Sequence, residues 1–283
     1  MKKKVCLITG ATSGIGKAAS FELAKQGHEV LLLGRNQDKL LRTSEHIRSM
    51  VENARIESFC CDLSMMSDVK STAEVIKQAV DHIDVLIDNA GGKYLDHEVT
   101  SEGIERTLAT NHIGHFVLTL NLIDLLKKAE QGRIVIVSSG AHYSSTGIIN
   151  NVLAPESYDG RKQYSDSKLA NVLFAYALAD RLSQTSITVN AIDPGGVATN
   201  FARNNGFVCW AKHWAYHLYK RELQTPERAA IAVVFLAVSA EVSGLSGRYF
   251  LRSVERESSK VSYDLEAQAR LWKNSVALSG IDL

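Results

Sequence analysis

The chain has 283 residues, of which 45% are hydrophobic and 22% charged, and its formal net charge is +1. This composition is typical of a globular protein and excludes intrinsic disorder. Because the charges balance, we expect neither nucleic acid nor an anionic membrane as a partner. No apolar stretch approaches the roughly 20 residues of a membrane-spanning helix. The apolar run behind the basic residues 2–4 is short, which predicts a strand and not a signal peptide.

Hydrophobic periodicity predicts strands and helices that alternate along the whole chain. Continuous apolar runs of strand length lie at 5–8, 28–33, 56–61, 83–87, 133–137, 186–192 and 247–251. Helical patterns lie at 17–26, 37–51, 64–82, 101–129, 164–182, 226–239 and 265–278. Ser64 and Ser67 are expected to cap the third helix, and Thr225 the sixth, with Pro226 in its first position.

Apolar strands that alternate with helices predict a parallel sheet with helices on both faces. We therefore expect an α/β chain of one domain, residues 1–283, with a doubly wound, Rossmann-type sheet of about seven strands. Ligands bind outside the carboxyl ends of the strands in such sheets. The chemistry is therefore expected where strands end.

The first strand ends in the turn Thr9-Gly10-Ala11-Thr12-Ser13-Gly14-Ile15-Gly16, and a helical pattern follows. Glycines let the backbone approach an anion, and a helix N-terminus offers unpaired N–H groups and the positive end of its dipole. Glycine-rich turns also form for purely steric reasons. The spacing Gly-x-x-x-Gly-x-Gly differs from the commoner dinucleotide fingerprint, so the rest of the chain must decide between these readings.

Arg35 follows the second strand, where dinucleotide folds meet the adenosine ribose. An arginine there offers charge-assisted hydrogen bonds to a 2′-phosphate, whereas an acid would favour NAD. Gly34 leaves room for that phosphate. The alternative is an ordinary surface arginine; together with the glycine turn, the sequence favours NADP.

Tyr164 and Lys168 lie at i and i+4, on one face of a predicted helix. A nearby cation favours the phenolate and lowers the pKa of the phenol, which then can exchange a proton with a carbinol or carbonyl oxygen. The alternative is a solvated pair. Ser139 ends a strand and either donates to a substrate oxygen or caps its own loop. Asn111 is either an exposed polar residue or a kink that frees a carbonyl to hold a water.

Four cysteines, Cys6, Cys60, Cys61 and Cys209, lack the spacing of metal ligands and are interpreted as reduced thiols of a cytoplasmic protein. Two pairs of histidines, His112 with His115 and His213 with His217, have helical spacing but no evident acidic partner. We expect no metal.

Five features occur in one order: Thr9-Gly10-x3-Gly14-x-Gly16, Asn89-Ala90-Gly91, Asn111, Ser139 and Tyr164-x3-Lys168. Together they resemble the short-chain dehydrogenase/reductase family along the whole chain. The runs 110–116, 164–171, 225–227 and 247–250 resemble most closely its retinol dehydrogenase-like branch.

The resemblance implies an NADP(H)-dependent oxidoreductase that interconverts an alcohol with an aldehyde or ketone. It implies that Tyr164 is the general acid/base, that Lys168 lowers its pKa and holds the nicotinamide ribose, that Ser139 polarises the substrate oxygen, and that Asn111 holds a water in a proton relay. The remaining cofactor contacts implied are Gly10, Thr12, Ser13, Gly14, Ile15, Gly16, Arg35, Asp62, Leu63, Asn89, Ala90, Gly91, Pro194, Gly195, Val197 and Thr199.

Two residues depart from the branch. Asp193 stands before Pro194-Gly195 where histidine is common. We expect this departure to alter at most the cofactor or substrate edge and to touch no catalytic position. Asp88 stands before Asn89 where asparagine is more usual.

Residues 200–224 are rich in aromatics and correspond to the family's substrate lid: Phe201, Phe207, Trp210, Trp214, Tyr216 and Tyr219. An apolar lid predicts a lipophilic substrate such as a retinoid, a steroid or another apolar carbonyl compound. The alternatives are core packing and a shallow membrane contact, for which Lys212, Lys220 and Arg221 would supply charge.

The family pairs subunits through its two long helices, here 101–129 and 164–182, so we expect a homodimer. The terminal helix at about 265–278 either blocks or extends that contact. Two further alternatives are a non-catalytic redox sensor that binds a dinucleotide and an NAD-preferring dehydrogenase of the same fold.

Overall fold

One twisted sheet organises the computed structural model, which describes residues 2–145, 158–197, 206 and 223–283. Within these residues, eight strands stand in the order β3-β2-β1-β4-β5-β6-β7-β8. Their bounds are β1 Val5–Thr9, β2 Glu29–Gly34, β3 Ile56–Cys60, β4 Val85–Asp88, β5 Arg133–Val137, β6 Thr188–Asp193, β7 Arg248–Leu251 and β8 Val254–Arg256.

Strands β1 to β7 are parallel, which confirms the predicted α/β sheet. Strand β8 pairs antiparallel with β7 at the edge of the sheet. The sequence did not predict β8 because all three of its residues are exposed and form no apolar run. The strand order reverses between β1 and β4, and a ligand crevice is expected at such a switch point.

Helices cover both faces of this sheet: α1 Gly14–Lys25, α2 Gln37–Met50, α3 Met66–Ala79, α4 Arg106–Leu108, α5 Gly114–Lys127, α6 Gly160–Arg181, α7 Pro226–Val238 and α8 Leu265–Ser279. The single helix predicted over 101–129 is wrong at its start. Helical structure begins only at Arg106, and a π-helical turn, Ala109–Ile113, separates α4 from α5.

Two apolar cores explain why the strands are continuous hydrophobic runs. Successive side chains of a strand point to opposite faces. In β1, Leu7 joins the core beneath α3, α5, α6 and α8, whereas Cys6 and Ile8 join the core beneath α1, α2 and α7. All three side chains are fully buried.

The terminal helix α8 packs on α5 and α6. The Trp272 ring of α8 lies edge-on to Phe116 of α5 at 5.2 Å and 6.1 Å from Phe174 of α6. His112 Nε2 and Ser275 Oγ form a hydrogen bond of 2.8 Å in the same contact. Aromatic pairs of this kind contribute about 0.5–1.5 kcal/mol each beyond their burial, so α8 is an integral part of this layer.

The start of a helix agrees with the prediction where the capping residue lies next to the helix in the sequence. Thr225 Oγ1 accepts from the Arg228 amide, with Pro226 in the first turn of α7, as predicted. The prediction that Ser64 and Ser67 cap α3 is wrong. Its N-cap residue is Met65, and the Glu102 carboxylate accepts the amides of Met66 and Ser67 at 2.6 and 3.0 Å.

Candidate active site

The turn between β1 and α1 has the conformation that a phosphate cradle requires. Gly10 and Gly14 have φ angles of +67° and +51°, which side chains other than glycine rarely adopt. Ser13, the N-cap of α1, makes no side-chain capping bond, and the first turn holds no acid. The N-terminal amides of α1 therefore present a positive site that fits an anion.

Asn89 connects this turn to the end of β4. Its side-chain amide donates to the Thr9 carbonyl oxygen at 2.8 Å, and its backbone amide donates to Thr9 Oγ1 at 2.8 Å. A Cβ on Gly16 would lie 2.5 Å from Asn89 Nδ2 and closer still to the Gly10 carbonyl oxygen. Only glycine fits this position without displacing backbone, so the close approach is built into the turn.

Arg35 follows β2 at the same edge of the sheet and is exposed. Its Nη1 donates to the Tyr94 hydroxyl at 3.4 Å. The Tyr94 ring lies under the Arg106 guanidinium, 4.6 Å from the ring centroid to Cζ. Nothing in the local sequence indicates a role for Tyr94, because its position depends on contacts with Arg35 and Arg106 from separate segments. A Cβ on Gly34 would lie 3.1 Å from Thr12 Cγ2, which places Thr12 beside the end of β2.

Asp62 and Leu63, predicted near the adenine, follow β3. Asp62 Oδ1 accepts from the Ser64 amide at 3.0 Å and from Ser64 Oγ at 2.8 Å. Leu63 is buried, and its carbonyl oxygen packs so closely on Gly114 that a side chain there would clash. Both residues thus have structural partners at the edge where the adenine is expected.

The predicted catalytic residues meet at the carboxyl edge. Lys168 Nζ lies 5.9 Å from the centroid of the Tyr164 ring and donates to the Val137 carbonyl oxygen at 3.1 Å. The Ser139 side chain hydrogen-bonds with Tyr164. A Cβ on Gly91 would lie 3.4 Å from Lys168 Nζ and 3.3 Å from Asn111 Oδ1, so both side chains converge on Gly91. Lys168 is 3% exposed, which excludes a solvated surface pair.

Asn111 is fully buried in the π-helical turn, and the interpretation as an exposed polar residue is wrong. Its side-chain amide forms two hydrogen bonds with the backbone of Gly92. It accepts from the Gly92 amide at 2.7 Å and donates to the Gly92 carbonyl oxygen at 2.9 Å. A third bond of 2.9 Å reaches Ser167 Oγ of α6. Asn111 therefore ties the loop after β4 to the helix that carries Tyr164.

His115 also belongs to this site, although its spacing in the sequence indicated no role. Its Nδ1 donates to the Asn111 carbonyl oxygen at 3.0 Å, since a carbonyl only accepts. Nε2 must then accept from the Thr9 hydroxyl, 2.9 Å away. Burial lowers the pKa of His115 to about 4, so the ring is neutral. The imidazole thus connects the glycine turn to Asn111.

Burial also sets the protonation of the catalytic pair. The pKa of Tyr164 lies above its usual value because of burial, opposed by the bond to Ser139 and assisted by the charge of Asp193. Burial lowers the pKa of Lys168 to about 8, which Asp193 opposes. Burial disfavours the phenolate and is the largest influence on the pKa of Tyr164. The lowering of this pKa by Lys168 stays a prediction.

Asp193, which was expected to touch no catalytic position, influences the pKa of both Tyr164 and Lys168. It is 7% exposed, and its Oδ1 accepts from the Gly195 amide at 2.8 Å. A Cβ on Gly140 would lie 3.1 Å from Oδ2, so the carboxylate lies directly beside the turn that follows Ser139. Its negative charge raises the pKa of both Tyr164 and Lys168.

Of the residues predicted to line the nicotinamide, the structure describes Pro194, Gly195 and Val197. Gly195 has a φ of +85°, and Val197 forms an isolated bridge with Gln224. The Gln224 amide donates to the Gly196 carbonyl oxygen at 3.0 Å and holds the end of this segment. Thr199 and most of the expected lid lie outside the described residues.

Comparison with known proteins decides the family. The model of the family described as short chain dehydrogenase matches residues 4–206. The chain belongs to the short-chain dehydrogenase family.

The relatives of this short-chain dehydrogenase include members of the predicted branch. Human polyprenol dehydrogenase is 32% identical over 98% of this chain and 86% of its own length. Human retinol dehydrogenase 13 is 32% identical over 99% of this chain and 85% of its own length. A short chain dehydrogenase from Escherichia coli CFT073 complexed with NADPH superposes with a TM-score of 0.69 at 25% identity, covering 89% and 97% of the two chains.

The family and these relatives show an oxidoreductase that acts on alcohols or carbonyl compounds with a nicotinamide dinucleotide. The uncapped start of α1, the positive φ angles of Gly10 and Gly14 and the closeness of Gly16 to the turn fit such a group. Among the described residues, no helix has both the length and the apolar character needed to cross a membrane.

Proposed function

We propose that this short-chain dehydrogenase uses NADP(H) to interconvert a lipophilic alcohol and its aldehyde or ketone, with Tyr164 as the general acid/base. The observation that carries the proposal is the convergence of Ser139, Tyr164, Lys168 and Asn111 beside the glycine turn. These four residues come from three separate segments of the chain, and a non-catalytic dinucleotide sensor would not require them to meet.

The nicotinamide, when bound, supplies or accepts the hydride. In the direction of reduction, Ser139 orients the carbonyl oxygen, and Tyr164 donates its proton to that oxygen. The raised pKa of Tyr164 keeps the phenol protonated at neutral pH, which is the state that reduction requires. Oxidation requires the phenolate and is therefore favoured at alkaline pH.

Lys168 and Asn111 complete the mechanism. The ammonium of Lys168 stabilises the phenolate that remains after proton transfer. The backbone carbonyl oxygen of Asn111, which accepts from His115 Nδ1, is the group that would hold the water of the proton relay. The buried bonds of Asn111 to Gly92 and Ser167 hold that carbonyl in place.

The acid/base role of Tyr164 is tested with Tyr164→Phe. Proton transfer by a positioned side chain contributes about 10²–10⁴-fold in rate, so kcat for NADPH-dependent reduction of an accepted substrate should fall by that factor. Tyr176→Phe is the matched control, because the Tyr176 hydroxyl bonds Ser258 at 2.7 Å away from the catalytic residues. If Tyr164→Phe retains the parent rate, the mechanism is wrong.

The preference for NADP(H) rests on Arg35, which is exposed at the carboxyl end of β2 and whose guanidinium donates to the Tyr94 hydroxyl. A charge-assisted hydrogen bond contributes about 1.5–3 kcal/mol. Arg35→Ala should therefore weaken NADPH binding about 10- to 100-fold in a fluorescence titration. NADH binding should change little, and Arg161→Ala, at an exposed residue of α6, is the control. Equal losses for both cofactors would contradict the assignment.

The lipophilic substrate class is supported by the names of the two human relatives and by the aromatic composition of residues 200–224. A screen of NADPH oxidation with retinal, apolar ketones, steroids and short polar aldehydes tests it. A higher kcat/KM for the short polar aldehydes than for every apolar compound would refute it.

We also propose that the protein forms the homodimer predicted from the sequence. The position of α8 restricts how its subunits can pair. Because α8 packs on α5 and α6, a dimer through these helices must include α8 or displace it. Sedimentation equilibrium of the full chain and of a chain carrying Trp272→Ala separates these arrangements. A chain that remains monomeric at high concentration in both forms refutes the dimer.

A further inference from the structure

Helix α6 is held at two points by the segment that runs from the start of α4 to the π-helical turn. Gln163 Nε2 donates to Glu105 Oε2 at 2.8 Å. One turn further along α6, Ser167 Oγ accepts from Asn111 Nδ2 at 2.9 Å. All four residues are buried. The two bonds lie four residues apart on α6, which is about 6 Å along its axis.

The two α6 residues that make these bonds each precede a member of the proposed catalytic pair. Tyr164 directly follows Gln163, and Lys168 directly follows Ser167. Neighbouring residues of an α-helix differ in direction by about 100°. Two contacts one turn apart on the same face therefore fix the rotation of α6 about its axis. That rotation sets the direction in which the Tyr164 and Lys168 side chains leave the helix.

Glu105 joins α6 to the first turn of α4 through a single buried carboxylate. The residue is 2% exposed. Its Oε1 accepts from the Thr107 amide and its Oε2 from the Leu108 amide, both at 2.8 Å. The hydroxyl of Tyr158 lies 3.1 Å from Oε1. A carboxylate has two acceptor oxygens that can each take more than one donor, so Glu105 bonds α4 and α6 at the same time.

The bond from Gln163 is not needed for α6 to form. Asp159 caps this helix locally, since its Oδ1 accepts from the Arg161 and Lys162 amides at 2.8 and 3.3 Å. Most of the remaining helix is buried against the apolar core. The bond between Glu105 and Gln163 therefore joins two elements that both form without it, and its effect is on their relative orientation.

We propose that Glu105 is a positioning residue: acting through Gln163, it fixes the rotation of α6 and thereby the direction of the Tyr164 hydroxyl. This inference rests on the proposed function and adds a residue to it. A misplacement of reacting groups by about 1 Å can cost about 10²-fold in rate. Loss of the bond should therefore lower kcat. Binding of NADPH, which the proposed function assigns mainly to the glycine turn and Arg35, should change little.

The first test replaces Gln163 by methionine, which has a similar length but no hydrogen-bond donor. In Gln163→Met, kcat for NADPH-dependent reduction should fall about 10- to 100-fold, whereas the Kd of NADPH in a fluorescence titration should change little. Asp159→Ala is the matched control, because it removes the cap at the same end of α6 and should lower the urea midpoint without lowering kcat. A parent-like kcat in Gln163→Met, or an equal loss of kcat in Asp159→Ala, overturns the proposal.

An exchange of the two side chains tests whether the bond itself is responsible. The double variant that combines Glu105→Gln with Gln163→Glu places an amide donor against a carboxylate in the reverse direction. Its kcat should lie well above that of Gln163→Met. A double variant that unfolds cooperatively in urea but is no more active than Gln163→Met overturns the role of this bond.

Hydrogen exchange of the full chain, followed by mass spectrometry, needs no turnover and separates this proposal from the proposed function. In Gln163→Met, the amides of residues 106–113 and of residues 160–168 should both exchange faster than in the parent. In Asp159→Ala, only the first turn of α6 should do so. If the parent reduces no compound but both segments respond in Gln163→Met, the contact with Glu105 stands and the oxidoreductase mechanism fails. Parent-like exchange of residues 106–113 in Gln163→Met overturns the proposal.

Discussion

Asp88, the last residue of β4, offers a test of how burial sets the pH dependence of stability. The side chain is fully buried, its Oδ2 accepts from Thr119 Oγ1 at 2.9 Å, and its Oδ1 has no partner among the described residues. Burial raises the pKa of Asp88 from 3.8 to about 8. The folded protein therefore holds the neutral acid at pH values where the unfolded chain is ionised.

The sign and size of the effect follow from this difference in pKa. A carboxyl with a raised folded-state pKa costs no stability below about pH 4, where both states are protonated. Between the two pKa values the cost grows by about 1.4 kcal/mol per pH unit, and it is constant above about pH 8. At pH 7 the penalty is about 4 kcal/mol.

Asp88→Asn removes this penalty because an amide has no proton to lose. The amide oxygen still accepts from Thr119, and the NH₂ group replaces the equally unpartnered acid hydroxyl. The free energy of unfolding should rise by about 4 kcal/mol at pH 7 and by only about 2 kcal/mol at pH 5.

Urea unfolding at several pH values measures this gain. Asp124→Asn is the control, because the Asp124 side chain is 82% exposed and its replacement should change stability little at any pH. A gain for Asp88→Asn that does not vary with pH would refute the reasoning, as would a loss of stability at neutral pH.

Two further predictions concern the site itself. His115→Phe removes two buried hydrogen bonds, one with the Thr9 hydroxyl and one with the Asn111 backbone carbonyl, and should lower the free energy of unfolding by about 1–3 kcal/mol, measured by urea unfolding; an unchanged midpoint would show that these bonds are not needed. The rate of reduction should fall as pH rises through about 8, where Lys168 loses its proton, while the rate of oxidation rises with pH as Tyr164 ionises. Steady-state rates in both directions give these profiles, and identical profiles would contradict them.

Much of the fold could be predicted because its determinants are local in the sequence. Continuous apolar runs such as β1 and β5 are buried on both faces, and only a covered parallel sheet accommodates such runs. Thr225 and Pro226 start α7 because a capping hydroxyl and a preset φ act within one turn. The edge strand β8 lacks such a signal, because its three exposed residues pair with β7 only after the sheet has formed.

The cap of α3 shows where local reasoning fails. Ser64 and Ser67 have the right chemistry for a cap, but the Glu102 carboxylate takes the position from a distant loop. The interruption at Asn111 also depends on tertiary contacts, since its side chain is held by Gly92 and Ser167 from two other segments. Helix propensity is a local property, so it cannot predict contacts with residues that are distant in the sequence.

The sequence by itself determined the α/β class and the glycine turn at the start of α1, because each depends on residue type and short-range spacing. It proposed Tyr164, Lys168, Ser139 and Asn111 as site residues only through the order of motifs that resembles the family. Only the tertiary structure decided their electrostatics. The charge of Asp193 reaches Tyr164 and Lys168 because β6 ends beside the turn after Ser139, and burial is the largest influence on the pKa of both groups. Burial and long-range proximity are properties of the packed molecule, and no stretch of sequence records them.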